Sequence, residues 1–245
     1  MGGSGSAAGI PPVVFDAYGT LFDPIALAEP LERRFPGRGV DLALAWRGTQ
    51  IRHTWLRSLM GEWADFDTVT RDALLQTLES AGLRGDGAAD VSGAGRGAGA
   101  HALANALLAA YRTLAPYPDV AEALARLEPD RPRAILTNGA RATVEATVRA
   151  AGLQEALPLV LSVDEVRTYK PAPEVYALAT AAFGVAPGEV TFVSGNAWDC
   201  AGAGAFGFRV VRIRRTAEVE ERVGPPPAAV IDDLRSLASM LRAGA

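Results

Sequence analysis

The sequence contains few of the residues that build disulfides or metal centres. It has one cysteine, Cys200, and two histidines, His53 and His101, among 245 residues. A single cysteine excludes a disulfide within the chain and a zinc site made of several cysteines. Two histidines are too few for a histidine-rich metal centre. These counts therefore exclude a centre built on several cysteines or histidines, and we predict no cofactor.

A surplus of basic charge is also missing. Lysine and arginine number 24 against 28 acidic residues, which leaves a formal net charge of −4 at pH 7. Nucleic acid and anionic membranes bind basic surfaces, so we expect neither partner. No apolar run approaches the roughly 20 residues of a membrane span. Residues 1–9, rich in Gly, Ser and Ala, lack the basic start and apolar run of a signal peptide. These observations favour a cytoplasmic protein.

Short apolar runs alternate with longer amphipathic stretches along the chain. The apolar runs are residues 13–15, 134–136, 159–161, 190–193 and 210–213. Continuous runs of this length are typical of strands that are buried on both faces of a parallel sheet. The helical stretches between the later runs stop at Gly152, Gly184 and Gly207, as helices commonly do. The pattern predicts an α/β fold, with a doubly wound, Rossmann-like parallel sheet.

A helical insertion is predicted after the first strand. Residues 42–60, the stretch between Asp67 and Gly82, and residues 101–114 have helical periodicity, and no strand pattern lies among them. We predict a core domain of residues 1–22 and 117–245 and an all-helical cap of residues 23–116. The Gly/Ala-rich segment 85–100 is predicted to be a flexible loop. Trp46 and Trp55 are predicted to pack in the core of the cap.

Polar residues follow four successive predicted strands. They are Asp16, then Thr137 and Asn138, then Lys170 after a loop, and finally Ser194, Asn196 and Asp199. Ligands of α/β sheets bind beyond the carboxyl ends of the strands. The single residues have simpler explanations, since Asp16 alone suits a turn and Lys170 with Asp199 suits a structural ion pair. Together they supply a nucleophile, anion donors, a cation and a base in one crevice.

Five segments carry a resemblance to a known family. They are residues 16–23 (DAYGTLFD), 35–39 (FPGRG), 54–60 (TWLRSLM), 169–171 (YKP) and 194–199 (SGNAWD). On these motifs the chain resembles the haloacid dehalogenase superfamily, in particular its L-2-haloacid dehalogenase branch, from about residue 13 to residue 241. The resemblance implies metal-independent hydrolysis of short L-2-haloalkanoic acids to D-2-hydroxy acids through an aspartyl ester, with release of halide. It also implies a homodimer.

The resemblance assigns a role to each residue of the site. Asp16 is the nucleophile, Lys170 keeps it ionised, and Asp199 orients or deprotonates water. The implied donors to the substrate carboxylate or the oxyanion are Thr20, Thr137, Ser194 and Asn196. Arg47 and Asn138 match the family's halide contacts, although a helix arginine is usually only solvated. The remaining matches to the substrate site are Ala17, Tyr18, Phe66, Tyr176 and Trp198.

Three positions depart from related patterns. Tyr18 stands where superfamily phosphatases have a second aspartate, and a tyrosine can neither protonate the leaving alcohol nor hold Mg²⁺ as a carboxylate does. Gly48 and Gly195 replace a glutamine and a serine of the branch, which bears on affinity and substrate range. Two alternatives stay open, a magnesium-dependent phosphatase and a noncatalytic small-acid binding protein. The arginines that end the last predicted strand, Arg212, Arg214 and Arg215, are predicted to form a solvated edge.

Overall fold

The computed structural model describes residues 10–83, 98–217, 219 and 221–243. Its sheet consists of the strands β1 (Val13–Phe15), β2 (Arg133–Thr137), β3 (Val160–Ser162), β4 (Thr191–Ser194), β5 (Arg209–Ile213) and β6 (Ala229–Ile231). Their order is β3-β2-β1-β4-β5-β6, and every pairing is parallel. The predicted fold class is confirmed. The sequence analysis missed β6, because this edge strand has only three residues and is not buried.

The helices fall into two groups along the chain. Five of the described helices lie between β1 and β2: α1 (Ala28–Arg34), α2 (Gly39–Met60), α3 (Phe66–Ser80), α4 (Ala98–Tyr111) and α5 (Val120–Ala125). The others follow β2: α6 (Arg141–Ala150), α7 (Pro173–Phe183), α8 (Ala197–Phe206) and α9 (Leu237–Ala243). Among the described residues, no helix is long and apolar enough to span a membrane.

The centre of the sheet decides where the site lies. Val13, Val14 and Phe15 of β1 are completely buried, which explains why their run is uninterruptedly apolar. β1 pairs with β2 on one side and with β4 on the other. The strand order therefore runs outward from β1 in both directions, β2 and β3 to one side and β4, β5 and β6 to the other. In a doubly wound sheet this reversal opens a crevice at the carboxyl ends of the strands. Asp16 follows β1 directly and therefore stands in that crevice.

The helices α1 to α4 pack on one another, with α2 against α1 and α3, and α3 against α4. The buried face of α2 carries Leu42, Trp46, Gln50 and Thr54, which recur every four residues. Trp46 is buried as predicted, but the prediction for Trp55 is wrong, since this residue is 37% exposed. Hydrophobic periodicity misled here because Gln50 and Thr54, on the buried face, are polar.

The boundary of the predicted loop 85–100 also differs. α4 begins at Ala98, so the last three residues of that segment are helical. The rest of the segment lies outside the described residues. The division into a core of residues 1–22 and 117–245 and a cap of residues 23–116 stays a prediction.

Candidate active site

Asp16 is surrounded by hydrogen-bond donors. Its Oδ2 accepts bonds from Thr20 Oγ1 and Asn196 Nδ2, both at 2.8 Å, and its Oδ1 accepts from Lys170 Nζ at 3.1 Å. The backbone N–H of Asp16 donates to Val193 on β4, which fixes the start of the loop. With 6% of its surface exposed, the residue depends on these donors to balance its charge.

Lys170 stands between two carboxylates. Its Nζ lies 3.1 Å from Asp16 Oδ1 and 2.8 Å from Asp199 Oδ2, and the side chain is 1% exposed. Burial by itself lowers the pKa of Lys170, but the two carboxylates outweigh burial and raise that pKa above its ordinary value. The ammonium also lies 4.9 Å from the ring centroid of Phe192. Lys170 is therefore a permanent cation beside Asp16.

Asp199 lies in the first turn of α8 and is fully buried. Its Oδ1 accepts a 2.8 Å bond from Tyr176 Oη, and its Oδ2 accepts from Lys170 and from Ser194 Oγ. Burial raises the pKa of Asp199 to about 6, against the opposing effect of Lys170. Burial likewise raises the pKa of Tyr176 far above its usual value, so the phenol stays a donor. A carboxyl with this pKa can exchange a proton near neutral pH.

The loop after β1 is held from outside by a buried ion pair. Arg215 donates through Nε and Nη2 to the carbonyl oxygen of Thr20 at 3.1 and 3.0 Å. Its Nη1 donates to Asp119 Oδ2 at 2.8 Å. The predicted solvated edge is thus wrong for Arg215 and for the buried Arg212, whereas Arg214 is exposed and pairs with Asp232. Alternation along the chain gave no signal for these contacts, because they join loops distant in sequence.

Gly195 allows two loops to approach closely. A Cβ atom at this position would lie 2.1 Å from the carbonyl oxygen of Gly19, a distance that no side chain tolerates. The N–H of Gly195 donates to Thr20 Oγ1 at 2.8 Å, which leaves the Thr20 hydroxyl proton for Asp16. A Cβ atom at Gly48, by contrast, would meet no atom within 4 Å. The first departure from the family pattern therefore shapes the site, and the second leaves open space.

A cavity of about 10 Å³ adjoins Asp16. Its walls are Asp16, Tyr18, Arg47, Ile51, Thr54, Phe66, Thr137, Asn138 and Trp198. The sequence analysis missed Ile51 and Thr54, although both follow Arg47 at helical spacing on α2, a signal that would have found them. The volume corresponds to about one water molecule. In this structure the cavity is therefore too small to hold a haloacid.

The other predicted site residues lie behind or beside this cavity. Thr20, Lys170, Ser194, Asn196 and Asp199 form the network around Asp16 without lining the cavity. Tyr176 contacts only Asp199 within this network. Ala17 is buried, and its carbonyl oxygen accepts bonds from the backbone of the turn that follows. In the described part of the chain, no group of three or more His, Cys, Asp or Glu residues is arranged for a metal ion.

Two of the predicted binding residues, Asn138 and Arg47, have defined orientations. Asn138 Oδ1 accepts a bond from the backbone N–H of Lys170 at 3.0 Å, so the amide NH₂ remains for a ligand. Arg47 donates through Nη1 to Gln50 Oε1 at 2.7 Å and through Nη2 to the carbonyl oxygen of Tyr18 at 3.4 Å. Arg47 is half-buried in the cavity wall and is not simply a solvated helix residue.

Comparison with known proteins agrees with this architecture. Residues 12–207 match the family described as haloacid dehalogenase-like hydrolase. The (S)-2-haloacid dehalogenase of Xanthobacter autotrophicus is 45% identical over 206 residues, which cover 84% of this chain and 76% of that protein. The (S)-2-haloacid dehalogenase of Pseudomonas sp. strain YL is 38% identical over 95% of both chains.

A solved structure gives the same picture. The L-2-haloacid dehalogenase from Xanthobacter autotrophicus, with chloropropionic acid covalently bound, has a TM-score of 0.84 to this chain at 39% identity. The match covers 96% of this chain and 100% of that chain. The chain belongs to the haloacid dehalogenase-like hydrolases, as its motifs indicated.

Proposed function

We propose that this protein hydrolyses short L-2-haloalkanoic acids to D-2-hydroxy acids and halide, through an ester on Asp16 and without a metal ion. The observation that carries the proposal is the position of Asp16. Its carboxylate is held by three donors, and Asp16 lines a small cavity whose walls also include Arg47. The names of the relatives at 38–45% identity support the substrate class and the enantiomer.

In the first step, a carboxylate oxygen of Asp16 attacks C2 of the substrate. The new C–O bond forms as the carbon–halogen bond breaks, and the halogen leaves with the bonding electrons. Halide is a good leaving group and needs no proton. The reaction therefore does not require the acid that a phosphatase has at the position of Tyr18. Arg47 and the NH₂ group of Asn138 receive the halide. Attack opposite to the leaving group inverts C2.

In the second step, water attacks Cγ of Asp16. Asp199 takes one proton from the water, and Lys170, Thr20 and Asn196 stabilise the negative oxygen that develops on Cγ. The tetrahedral intermediate then expels the alkoxide of the hydroxy acid and leaves Asp16 as a carboxylic acid. The alkoxide takes that proton and departs as the alcohol, and Asp199 returns its proton to solvent.

The remaining residues have supporting roles. Thr137, whose Oγ1 accepts a 2.9 Å bond from the N–H of Gly139, lines the cavity and can donate to the substrate carboxylate. Tyr18, Phe66 and Trp198 form its aromatic walls. Ser194 and Tyr176 hold Asp199, and Ala17 anchors the turn after Asp16. A cavity this small favours short acids, and it has to widen when substrate enters.

The test is halide release from separate L- and D-2-chloropropionate, with and without EDTA, beside an Asp16→Asn control. We expect release from the L form only, unaffected by EDTA and absent in the control. A single turnover in H₂¹⁸O with excess enzyme adds a check, because the product oxygen then comes from Asp16 and stays unlabelled. Label in the product of that first turnover would contradict the ester.

A magnesium-dependent phosphatase is the less well supported alternative. The residues around Asp16 do not fit Mg²⁺, which prefers carboxylate and water oxygens. Tyr18 offers no carboxylate, and the ammonium of Lys170 occupies the space between Asp16 and Asp199. Magnesium-dependent hydrolysis of a phosphate ester without halide release would favour this alternative. Inactivity in both assays would favour a noncatalytic small-acid binding protein.

We further propose that two copies of the chain form a homodimer through α2. This helix exposes the large apolar side chains of Val40, Leu44, Trp55, Leu56, Leu59 and Met60. Such a face is typical of an interface between proteins. A groove of about 1180 Å³, lined by Trp55, Leu59 and Trp198, continues from it. Sedimentation velocity should show a dimer, and Leu59→Lys, at a residue that is 85% exposed, should give a folded monomer.

The cytoplasmic location of the protein stays a prediction.

A further inference from the structure

Arg47 is held in the cavity wall by a residue to which the sequence analysis assigned no role. Gln50, one turn along α2, accepts the bond from Arg47 Nη1 at 2.7 Å. It is completely buried, on the same face as Leu42 and Trp46. A buried amide is costly unless its hydrogen bonds are made, so its presence among apolar neighbours calls for a physical reason.

The orientation of the Gln50 amide is fixed from both ends. Arginine can only donate, so the oxygen of the amide faces Arg47. The NH₂ end donates to Thr70 Oγ1 on α3 at 2.6 Å. Trp46 Nε1 donates to the carbonyl oxygen of the same Thr70 at 2.9 Å. Trp46 and Gln50 of α2 thus both bond to Thr70 of α3. These contacts fix the Gln50 amide and, through it, the position of the Arg47 guanidinium.

Both hydrogen-bond partners of Arg47, the amide of Gln50 and the carbonyl of Tyr18, are neutral, unlike the partners of the more deeply buried cations near the site. Lys170 faces Asp16 and Asp199, and Arg215 faces Asp119. In the part of the chain that the structure describes, no carboxylate lies within ion-pair distance of Arg47. An amide oxygen orients the guanidinium and leaves its full positive charge for an incoming anion, whereas a carboxylate would compete with that anion.

We propose that Gln50 is a positioning residue that aims Arg47 at the leaving halide and, because it is neutral, keeps the charge of Arg47 uncompensated. This inference rests on the proposed function, in which Arg47 receives the halide. It predicts that the effects of side-chain shape and of charge at residue 50 on activity can be measured separately, by two substitutions. Gln50→Glu keeps the acceptor and the volume but adds a charge that titrates, and Gln50→Ala removes the acceptor.

The titratable groups around Gln50 decide how a pH profile is interpreted. Besides Arg47, the phenol of Tyr111 on α4 interacts with Gln50, and burial raises the pKa of that phenol. Asp67 on α3 acts on Tyr111 through its charge, and burial raises the pKa of this carboxyl. Both groups are present in every variant. A pH effect seen only in Gln50→Glu therefore belongs to the introduced carboxylate.

The experiment compares wild type, Gln50→Glu, Gln50→Ala and the control Ala45→Glu, which places a carboxylate at an exposed position of α2. kcat and KM for L-2-chloro- and L-2-bromopropionate are measured between pH 5 and 9, along with inhibition by chloride. At pH 8 we expect kcat/KM of Gln50→Glu to fall about 10-fold or more, because the new carboxylate compensates the charge of Arg47 and weakens its charged contact with the halide. Inhibition by chloride should weaken for the same reason. Relative to wild type, the activity of this variant recovers as the pH falls and the carboxylate is protonated.

The other variants have distinct expected profiles. Gln50→Ala loses activity by a factor that does not change with pH, and Ala45→Glu behaves as wild type. Equal and pH-independent losses in Gln50→Glu and Gln50→Ala would show a merely structural role and overturn the inference. Chloride inhibition at the wild-type level in both Gln50→Glu and Gln50→Ala would also overturn the inference.

Two further measurements cover the remaining outcomes. If both variants at residue 50 fail to fold, Thr70→Val, which removes the acceptor for Gln50 at similar volume, is expected to weaken chloride inhibition, and wild-type inhibition would overturn the inference. If wild type itself releases no halide, the proposed function fails. In that case the chloride-dependent rise in Tm decides the inference, because wild type and Ala45→Glu should show it and Gln50→Glu should not at pH 8.

Discussion

The ammonium of Lys170 lies 3.1 Å from a carboxylate oxygen of Asp16 and 2.8 Å from one of Asp199. The three side chains come from different strand ends, and all are almost completely buried. One cation thus balances two carboxylates, of which one is the proposed nucleophile and the other the proposed base. This charge arrangement makes the site sensitive to the removal of any single member.

Replacing Lys170 tests that balance. Lys170→Met leaves two buried carboxylates facing each other, and we expect it to lower the free energy of unfolding by about 3–5 kcal/mol in urea melts at pH 8. Adding Asp199→Asn removes one of the two charges and should restore part of the loss. Both variants should lack halide release. Equal free energies of unfolding of Lys170→Met and the double variant would contradict the claim that Lys170 balances the charges of Asp16 and Asp199.

The acid limb of the pH profile should report on Asp199. The carboxyl accepts a proton only when ionised, and its pKa is raised to about 6. We therefore expect kcat, which depends on hydrolysis of the ester, to be constant above this pH and to fall as the pH drops through about 6. The raised pKa of Lys170 keeps the ammonium protonated over the same range, so it contributes no limb there.

Tyr176→Phe provides the matched variant for that measurement. The bond from Tyr176 stabilises the ionised form of Asp199 and lowers its pKa. Its loss should move the acid limb to higher pH. Tyr169→Phe is the control, because the Tyr169 hydroxyl donates to the carbonyl oxygen of Ala64 and not to Asp199. A limb that stays in place in Tyr176→Phe would argue against Asp199 as the titrating group.

The Asp119–Arg215 pair should matter more than an exposed pair of the same kind. Asp119→Asn removes the charge that holds Arg215 in place and so weakens the hydrogen bonds from Arg215 to the Thr20 carbonyl oxygen. We expect the free energy of unfolding to fall by about 1–3 kcal/mol and halide release to become slower. Asp232→Asn, at the exposed pair with Arg214, should cost about 0–1 kcal/mol and leave activity unchanged. Similar effects of the two substitutions in urea melts and kinetics would count against the role of Arg215.

Two glycines should respond in opposite ways to the same substitution. Gly195→Ala forces a Cβ atom against the Gly19 carbonyl oxygen and displaces the loop of Asp16, so we expect kcat to fall about 10-fold or more. Gly48→Ala meets only open space on an exposed turn of α2 and should raise the free energy of unfolding by about 0.5–1 kcal/mol. Unchanged kcat in Gly195→Ala would show that the loop is not constrained.

The sheet was predictable because burial on both faces leaves a simple signature. The apolar runs located five of the six strands, and Asp16, Asn138, Lys170 and Asp199 all lie near the carboxyl ends of strands. The helices were harder to interpret. On α2, Gln50 and Thr54 are buried while Leu59 is exposed, because the helix uses one face for polar contacts to α3 and another for an apolar surface.

The sequence by itself determined the fold class and indicated the groups that we propose to react, because strand periodicity and short motifs are local in the chain. Only the tertiary structure decided which groups meet. The contacts of Lys170 with Asp16 and of Arg215 with Thr20 span 154 and 195 residues. Hydrogen bonds and ion pairs over such separations depend on the register of the strands and the packing of loops, and no local pattern records them.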